Sequence, residues 1–236
     1  METVRLPAAW AHGAYERVYV AQFAHVRNGA ALKNALIAAS KAPENSDERR
    51  RMDYAFVDAR LLVSRAQLLT AVVEAIAASE RVRKGEKVGL KTPSIHSEVL
   101  WTLNPNNNIA DALRRFGVSA STETLVLVHI ARAPPQGPDP VEVVSAMDAL
   151  VDGELCTGGL ALPGDAARTT PSDVGAATNT DTAEHSLAHL TLAEPALDWK
   201  ALSKVYKLHD VYDYARATPH SVEPLISSTV ATKFLG

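Results

Sequence analysis

Between Ile95 and Ile130 the chain reads IHSEVLWTLNPNNNIADALRRFGVSASTETLVLVHI, and this run constrains the fold more than any other. Ile95, Val99, Leu100 and Leu103 recur at helical spacing and give a first helix one apolar face. Asn104-Pro105-Asn106-Asn107 must break it, because proline cannot continue a helix and pushes the residue before it out of the helical region. Asn108 is placed to cap a second helix, with Asp111 adding negative charge to its first turn. In that helix Ile109, Leu113 and Phe116 are expected to face inward and Arg114 and Arg115 outward, with Gly117 ending it in a left-handed conformation. Thr124 to Ile130 is then a continuous apolar, β-branched run, the pattern of a strand covered on both faces.

The flanking chain extends the alternation of strands and helices. Tyr15 to Phe23 alternates and is rich in β-formers, and Asn28-Gly29 opens a helix to about Ser40. Lys41 to Asp53, with its Arg49-Arg50-Arg51 run beside Asp47 and Glu48, reads as a solvated loop. Tyr54 to Val57 is a short strand. Ser64 and Gln67 have capping-box spacing before a helix carrying Leu68, Leu69, Val72, Val73 and Ile76. Arg81 to Lys91 is basic and broken by Gly85 and Gly89, a flexible connector into the central stretch. Val141 to Val151 suggests a helix started by Pro140. Gly153 to about Glu184 is rich in threonine and glycine and poor in large apolar residues, so a flexible insertion is expected there. Leu197 to Leu208 is amphipathic. Ser221 is placed to cap a last helix with Leu225, Ile226, Val230 and Phe234 on one face and Pro224 in its first turn. The expected architecture is a single α/β (α+β) domain over residues 1–236: a mixed, mostly antiparallel sheet flanked by helices.

Composition narrows the function classes. Of 236 residues 47% are hydrophobic, enough for a sizeable core, while 24 basic against 27 acidic side chains give a net charge of −3. A globally basic nucleic-acid coat is excluded, so any such contact needs a local patch. A lone cysteine, Cys156, rules out an internal disulfide and fits a reducing compartment. No apolar run approaches the length of a membrane span, and the N-terminus lacks the pattern of a secretory signal.

Enzyme motifs are not found. Gly158-Gly159…Gly164 lacks the lysine of a phosphate loop. His185 and His189 have a ligand spacing but no third ligand, and Ser186 stands where a zinc protease needs glutamate. Cys156 has no base assigned to it, and His129, inside an apolar strand, reads as a hydrogen-bonded core residue. No cofactor is expected.

One resemblance gives these features a direction. The run Glu98-Val99-Leu100…Leu103-Asn104-Pro105-Asn106-Asn107-Asn108-Ile109-Ala110-Asp111-Ala112-Leu113-Arg114-Arg115-Phe116-Gly117-Val118-Ser119 closely resembles the signature of the PRPK-binding protein (TPRKB) family, the Cgi-type small accessory subunit of the KEOPS/EKC complex. Lys204-Val205-Tyr206-Lys207-Leu208 is similar to a second family element, and Val26-Arg27-Asn28 with Leu32 to a weaker third. The resemblance implies a non-catalytic subunit of nucleus and cytoplasm. It would bind the PRPK-type kinase subunit, reach the other KEOPS/EKC subunits through it, and help hold the 3′ CCA end of tRNA for threonylcarbamoyladenosine formation. On that implication Arg83, Lys84, Lys87, Lys91, Arg114 and Arg115 are the candidate tRNA contacts, and Leu225, Ile226, Val230 and Phe234 the candidate kinase contacts. The competing expectation is a small-molecule enzyme or binding domain with a pocket between sheet and helices.

Overall fold

The fold is that of a computed structural model, which describes residues 2–6, 15–85, 89–132, 137–165, 195–210 and 217–233. In chain order the elements are β1 (Glu2–Arg5), β2 (Tyr15–Ala24), α1 (Gly29–Lys41), α2 (Asp47–Arg51), β3 (Ala55–Asp58), α3 (Arg65–Arg83), α4 (Ile95–Leu103), α5 (Ile109–Phe116), β4 (Leu125–Arg132), α6 (Pro140–Leu150), β5 (Glu154–Leu155), α7 (Trp199–Tyr206) and α8 (Pro219–Ala231). The sheet runs β1-β2-β4-β3, with β5 pairing β2, and every pairing among the described residues is antiparallel.

The period of two along the strands splits the core into layers. Val18 and Val20, Ala55 and Val57, and Val126, Val128 and Ile130 turn to one face, where they meet Leu68, Val72 and Ile76 of α3, Val99 and Leu103 of α4, Leu202 of α7 and Ile226 of α8. Tyr19, Ala21 and Phe23, Phe56, and Leu125 and Leu127 turn to the other face, against Leu32 of α1 and Val143 and Met147 of α6. The apolar run expected to be covered on both faces is so covered. Each large side chain buried in this way contributes roughly 1.5–3 kcal/mol.

Several local expectations are corrected. The segment after Lys41 is not all loop: Ser46 caps the short helix α2, and Arg49 donates to the carbonyls of Ala39 and Ser40 at the end of α1. Ser64 does cap α3, but Gln67 does not reciprocate, because its carbonyl accepts from Val63 N–H at 2.7 Å instead. Gly117 is extended (φ −80°) and not left-handed; glycine is needed there because a Cβ would lie 2.3 Å from the Leu113 carbonyl oxygen. Thr218, not Ser221, is the N-cap of α8, with Ser221 completing a reciprocal box, and Pro224 lies within the helix.

The expected flexible insertion begins as packed structure. Leu162 is buried, Gln22 exchanges two hydrogen bonds with Ala161, and the Asp165 carboxylate accepts from Arg65 N–H at the start of α3. The remainder of that expectation, with His185 and His189, falls outside the described residues, as do Lys87 and Phe234.

Candidate RNA- and partner-binding surface

Pro105 decides the shape of the site. Asn104 is extended ahead of it, so α4 stops at Leu103, and Pro105 has no N–H to offer the carbonyls left open at the helix end. Donors from distant elements supply them. Tyr206 O–H donates to Leu103 O at 2.7 Å. The Lys233 ammonium donates to the carbonyls of Trp101, Asn104 (2.5 Å) and Asn106 (3.1 Å), and lies 3.5 Å from the centre of the Trp101 ring. A cation at a helix C-terminus also meets the favourable end of the helix dipole. Burial nonetheless pulls the Lys233 pKa down to about 7, opposed by the nearby Glu98 carboxylate.

The turn is also held from within. The Asn106 side-chain oxygen accepts from Asn104 Nδ2 at 2.7 Å and from Asn108 N–H at 3.0 Å, while Asn106 Nδ2 donates to Asp111 at 2.8 Å. Asn108 caps α5 by accepting from Asp111 N–H, as its position predicts. The outcome is a preformed loop in which Asn106 to Ala110 are all exposed. Ile109 and Leu113 do not face inward as expected: they are 37% and 45% exposed, and Ala112 and Phe116 take the buried positions.

The predicted cations fall into separate groups. Arg114 and Arg115 both bind Asp111, Arg115 at 2.7 Å, so one carboxylate holds two guanidinium groups at the turn. Partial burial pushes the Asp111 carboxyl up, yet the bonds from Asn106, Arg115 and Arg114 prevail and hold it at about 2. Arg83 ends α3, paired at 2.7 Å with the buried carboxylate of Glu80, and exposed Lys84 follows it. Lys91 is exposed too, and its loop is fastened to α4: the fully buried Glu98 carboxylate accepts from Lys91 N–H, Thr92 N–H and the Thr92 hydroxyl. Lys91 is thus anchored to α4 through Glu98, while the two arginines are anchored to Asp111 beyond the C-terminal end of that helix.

Similarity to known proteins now bears on this surface. Residues 23–161 match the model of the kinase binding protein family CGI-121, more than half of the chain. The chain belongs to the CGI-121 family. A relative from Gibberella zeae named EKC/KEOPS complex subunit CGI121 is 40% identical over 144 residues, 60% of this chain and 62% of the relative. Relatives of the same name from Cryptococcus neoformans var. neoformans serotype D and Aspergillus terreus are 31% identical over 187 residues (66% of this chain, 78% of the relative) and 38% identical over 117 residues (50% and 52%). The chain therefore spans less than two thirds of the Gibberella relative's length. Tyr206 and Lys233, which close the end of α4 in this CGI-121 chain, both lie beyond the residues that match the family model.

The face expected to meet a kinase is largely spent on the core. Val222, Ile226 and Val230 of α8 are buried at 0%, 0% and 1% exposure within the layer that contains α3, and among the described residues of the expected face only Leu225 is half-buried. Ile226 and Val230 are accordingly core residues, and a partner at this helix would meet its outer side.

Several other titratable groups of this CGI-121 chain are held by backbone or burial. β3 is too short to cover β4 beyond Val128, and His96 fills the gap: its Nε2 accepts from Ile130 N–H at 2.9 Å, which leaves Nδ1 to donate to Asp53 at 2.7 Å. A ring nitrogen that already accepts from the backbone is not available as a base. His129 stacks on His96 and donates to the Asp53 carbonyl, the hydrogen bond its reading expects, but its side chain is half-buried and not part of the closed core; burial lowers its pKa. Burial raises the Cys156 thiol, the opposite of what a nucleophile needs. A cleft of about 300 Å³ is lined by Asp58, Arg60, Glu123, Thr124 and Asp198. Asp58 is committed there, accepting from Arg60 N–H and the Thr122 hydroxyl, with burial raising its pKa against those bonds. Among the described residues no group of three His, Cys, Asp or Glu is placed to hold a metal ion, and no helix is long and apolar enough to cross a membrane.

Proposed function

We propose that this chain is a non-catalytic subunit of a KEOPS/EKC-type assembly, binding the small kinase subunit and helping to recruit tRNA through its 3′ CCA end. The observation that carries the RNA part is the exposed loop Asn106–Ala110, pinned from behind and flanked by the Arg114 and Arg115 guanidinium groups. Unpaired nucleotides are recognised by amide contacts to base edges, by stacking on planar groups, and by cations that follow the backbone. Exposed Asn107 supplies an amide, Asn106 and Asn108 supply the N–H groups their bonds within the turn leave over, the arginines supply the planes and charge, and Lys91, Lys84 and Arg83 extend the basic track, with Lys87 in the connector between them. The kinase belongs at the outer side of α8, beside half-buried Leu225.

Binding is tested with the purified chain and a fluorescent tRNA, with and without its CCA end, across a salt series. Lys91→Glu with Arg115→Glu should weaken binding of the CCA-ended RNA and lower the log–log salt slope by roughly 1 for each phosphate contact removed. Equal affinity for the truncated RNA, or an unchanged slope in the double variant, would overturn the RNA reading. For the kinase, Leu225→Glu should abolish co-purification while the fold stays intact. A complex that survives this change would move the dock elsewhere.

A further inference from the structure

We propose that Lys233 is a positioning residue: its ammonium, seated among the carbonyls of Trp101, Asn104 and Asn106 and against the Trp101 ring, ties the last helix to the asparagine turn and sets the shape in which that turn meets RNA. The final clause rests on the RNA reading above; the tie itself does not.

The geometry suits a lysine and few other side chains. An ammonium carries three N–H donors on one small centre, and three carbonyl oxygens converge on it here. The indole face adds a fourth, electrostatic contact. Only the Trp101 carbonyl belongs to α4; Asn104 and Asn106 flank Pro105, so the ammonium grips both sides of the proline kink. The Asn106 carbonyl is the far end of that grip, and its side chain is the hub that accepts from Asn104 and Asn108 and donates to Asp111. Lys233 therefore controls the residue from which the rest of the loop is organised. Just beyond the end of α8, it also links the helix proposed to meet the kinase with the loop proposed to meet RNA.

The test uses the full chain below pH 7, where the Lys233 amine carries its third proton. In Lys233→Met the stem is kept and every donor is lost. The backbone amides of Asn106, Asn108 and Asp111 and the side-chain amides of Asn104 and Asn106 should shift in ¹⁵N NMR spectra. Affinity for CCA-ended RNA should fall on the order of tenfold. Lys233→Cys in a Cys156→Ser background, alkylated with 2-bromoethylamine, returns an ammonium at nearly the original reach and should restore both readouts. Lys233→Arg, which keeps the charge but not the compact three-donor centre, should leave the loop signals shifted. Loop signals unmoved in Lys233→Met, or unrestored in a folded alkylated protein, would overturn the tie. Shifted signals with unchanged RNA affinity would overturn its role in RNA binding. A wild-type chain that ignores CCA-ended RNA would sink the RNA reading, while the loop signals would still decide the tie. Should Lys233→Met fail to fold, the alkylated and unalkylated cysteine variants decide the question.

Discussion

Two buried tyrosines should respond differently to the same chemical change. The Tyr206 hydroxyl donates to Leu103 O at 2.7 Å and accepts from Gln67 Nε2 at 2.9 Å, and both partners are fully buried. Tyr206→Phe leaves one acceptor and one donor without a partner or water, at about 1–3 kcal/mol each, so a loss of about 2–6 kcal/mol is expected. In a chain of this length that lowers Tm by roughly 4–24 °C. The Tyr19 hydroxyl is equally buried but has no partner among the described residues. Tyr19→Phe removes a polar group already without compensation, and should leave stability unchanged or raise it by about 1 kcal/mol. Calorimetric scans of the three proteins in one buffer measure both shifts. Losses of similar size in both variants would refute the hydrogen-bond accounting, since the ring contacts are the same before and after.

Other consequences can be measured as directly. Asp111→Asn frees the two arginines from their shared carboxylate, so the RNA salt slope should steepen and affinity rise, the reverse of Arg115→Glu; weaker binding would mean that the carboxylate is needed to aim them. Because the folded pKa of Asp111 is about 2, below the ordinary value of 3.8, its stabilising bonds are complete above about pH 4 and are lost as pH falls through 2; an NMR titration of its side-chain carbon with a midpoint near 4 would contradict this. The His129 pKa lies below 6.5, so stability from this group is present above 6.5 and falls as pH drops through the folded pKa; at pH 6.5 its ring signals should report more neutral than charged form. Ile226→Ala should cost about 2–5 kcal/mol and Leu225→Ala clearly less, in keeping with their difference in burial; equal losses would place both side chains in the core.

What could be read from the sequence is what local chemistry controls. The break at Pro105, the cap at Asn108, the doubly covered strand of Leu125 to Ile130 and the long apolar helix through Val72 each follow from residues a few positions apart, and each is present. The misreadings concern which side of an element is buried and what distant chain covers it. In α5 the large residues Ile109 and Leu113 suggested the inward face, but a helix of eight residues is turned by its closest contact, and small Ala112 beside Phe116 permits the nearer approach. The threonine- and glycine-rich stretch after Gly153 looked unable to pack, yet Ala161 bonds to Gln22 and Asp165 to Arg65, partners more than ninety residues away in sequence. Composition carries no trace of such pairings.

The same distinction separates the site from its supports. Pro105 is legible as a helix breaker, and so is the physical corollary: a proline after a helix end leaves carbonyls that the following residue cannot satisfy. Buried carbonyls do not remain open at a cost of about 1–3 kcal/mol each, so donors from elsewhere were required, and they had to be long side chains able to reach the helix end. Tyr206 and Lys233 meet that demand from α7 and from just beyond α8, both outside the stretch that matches the family model. The stretch that matches the family model therefore presents the loop, and chain beyond that match holds the loop in place. A fragment ending near Ala161 should keep the asparagine sequence and lose its shape.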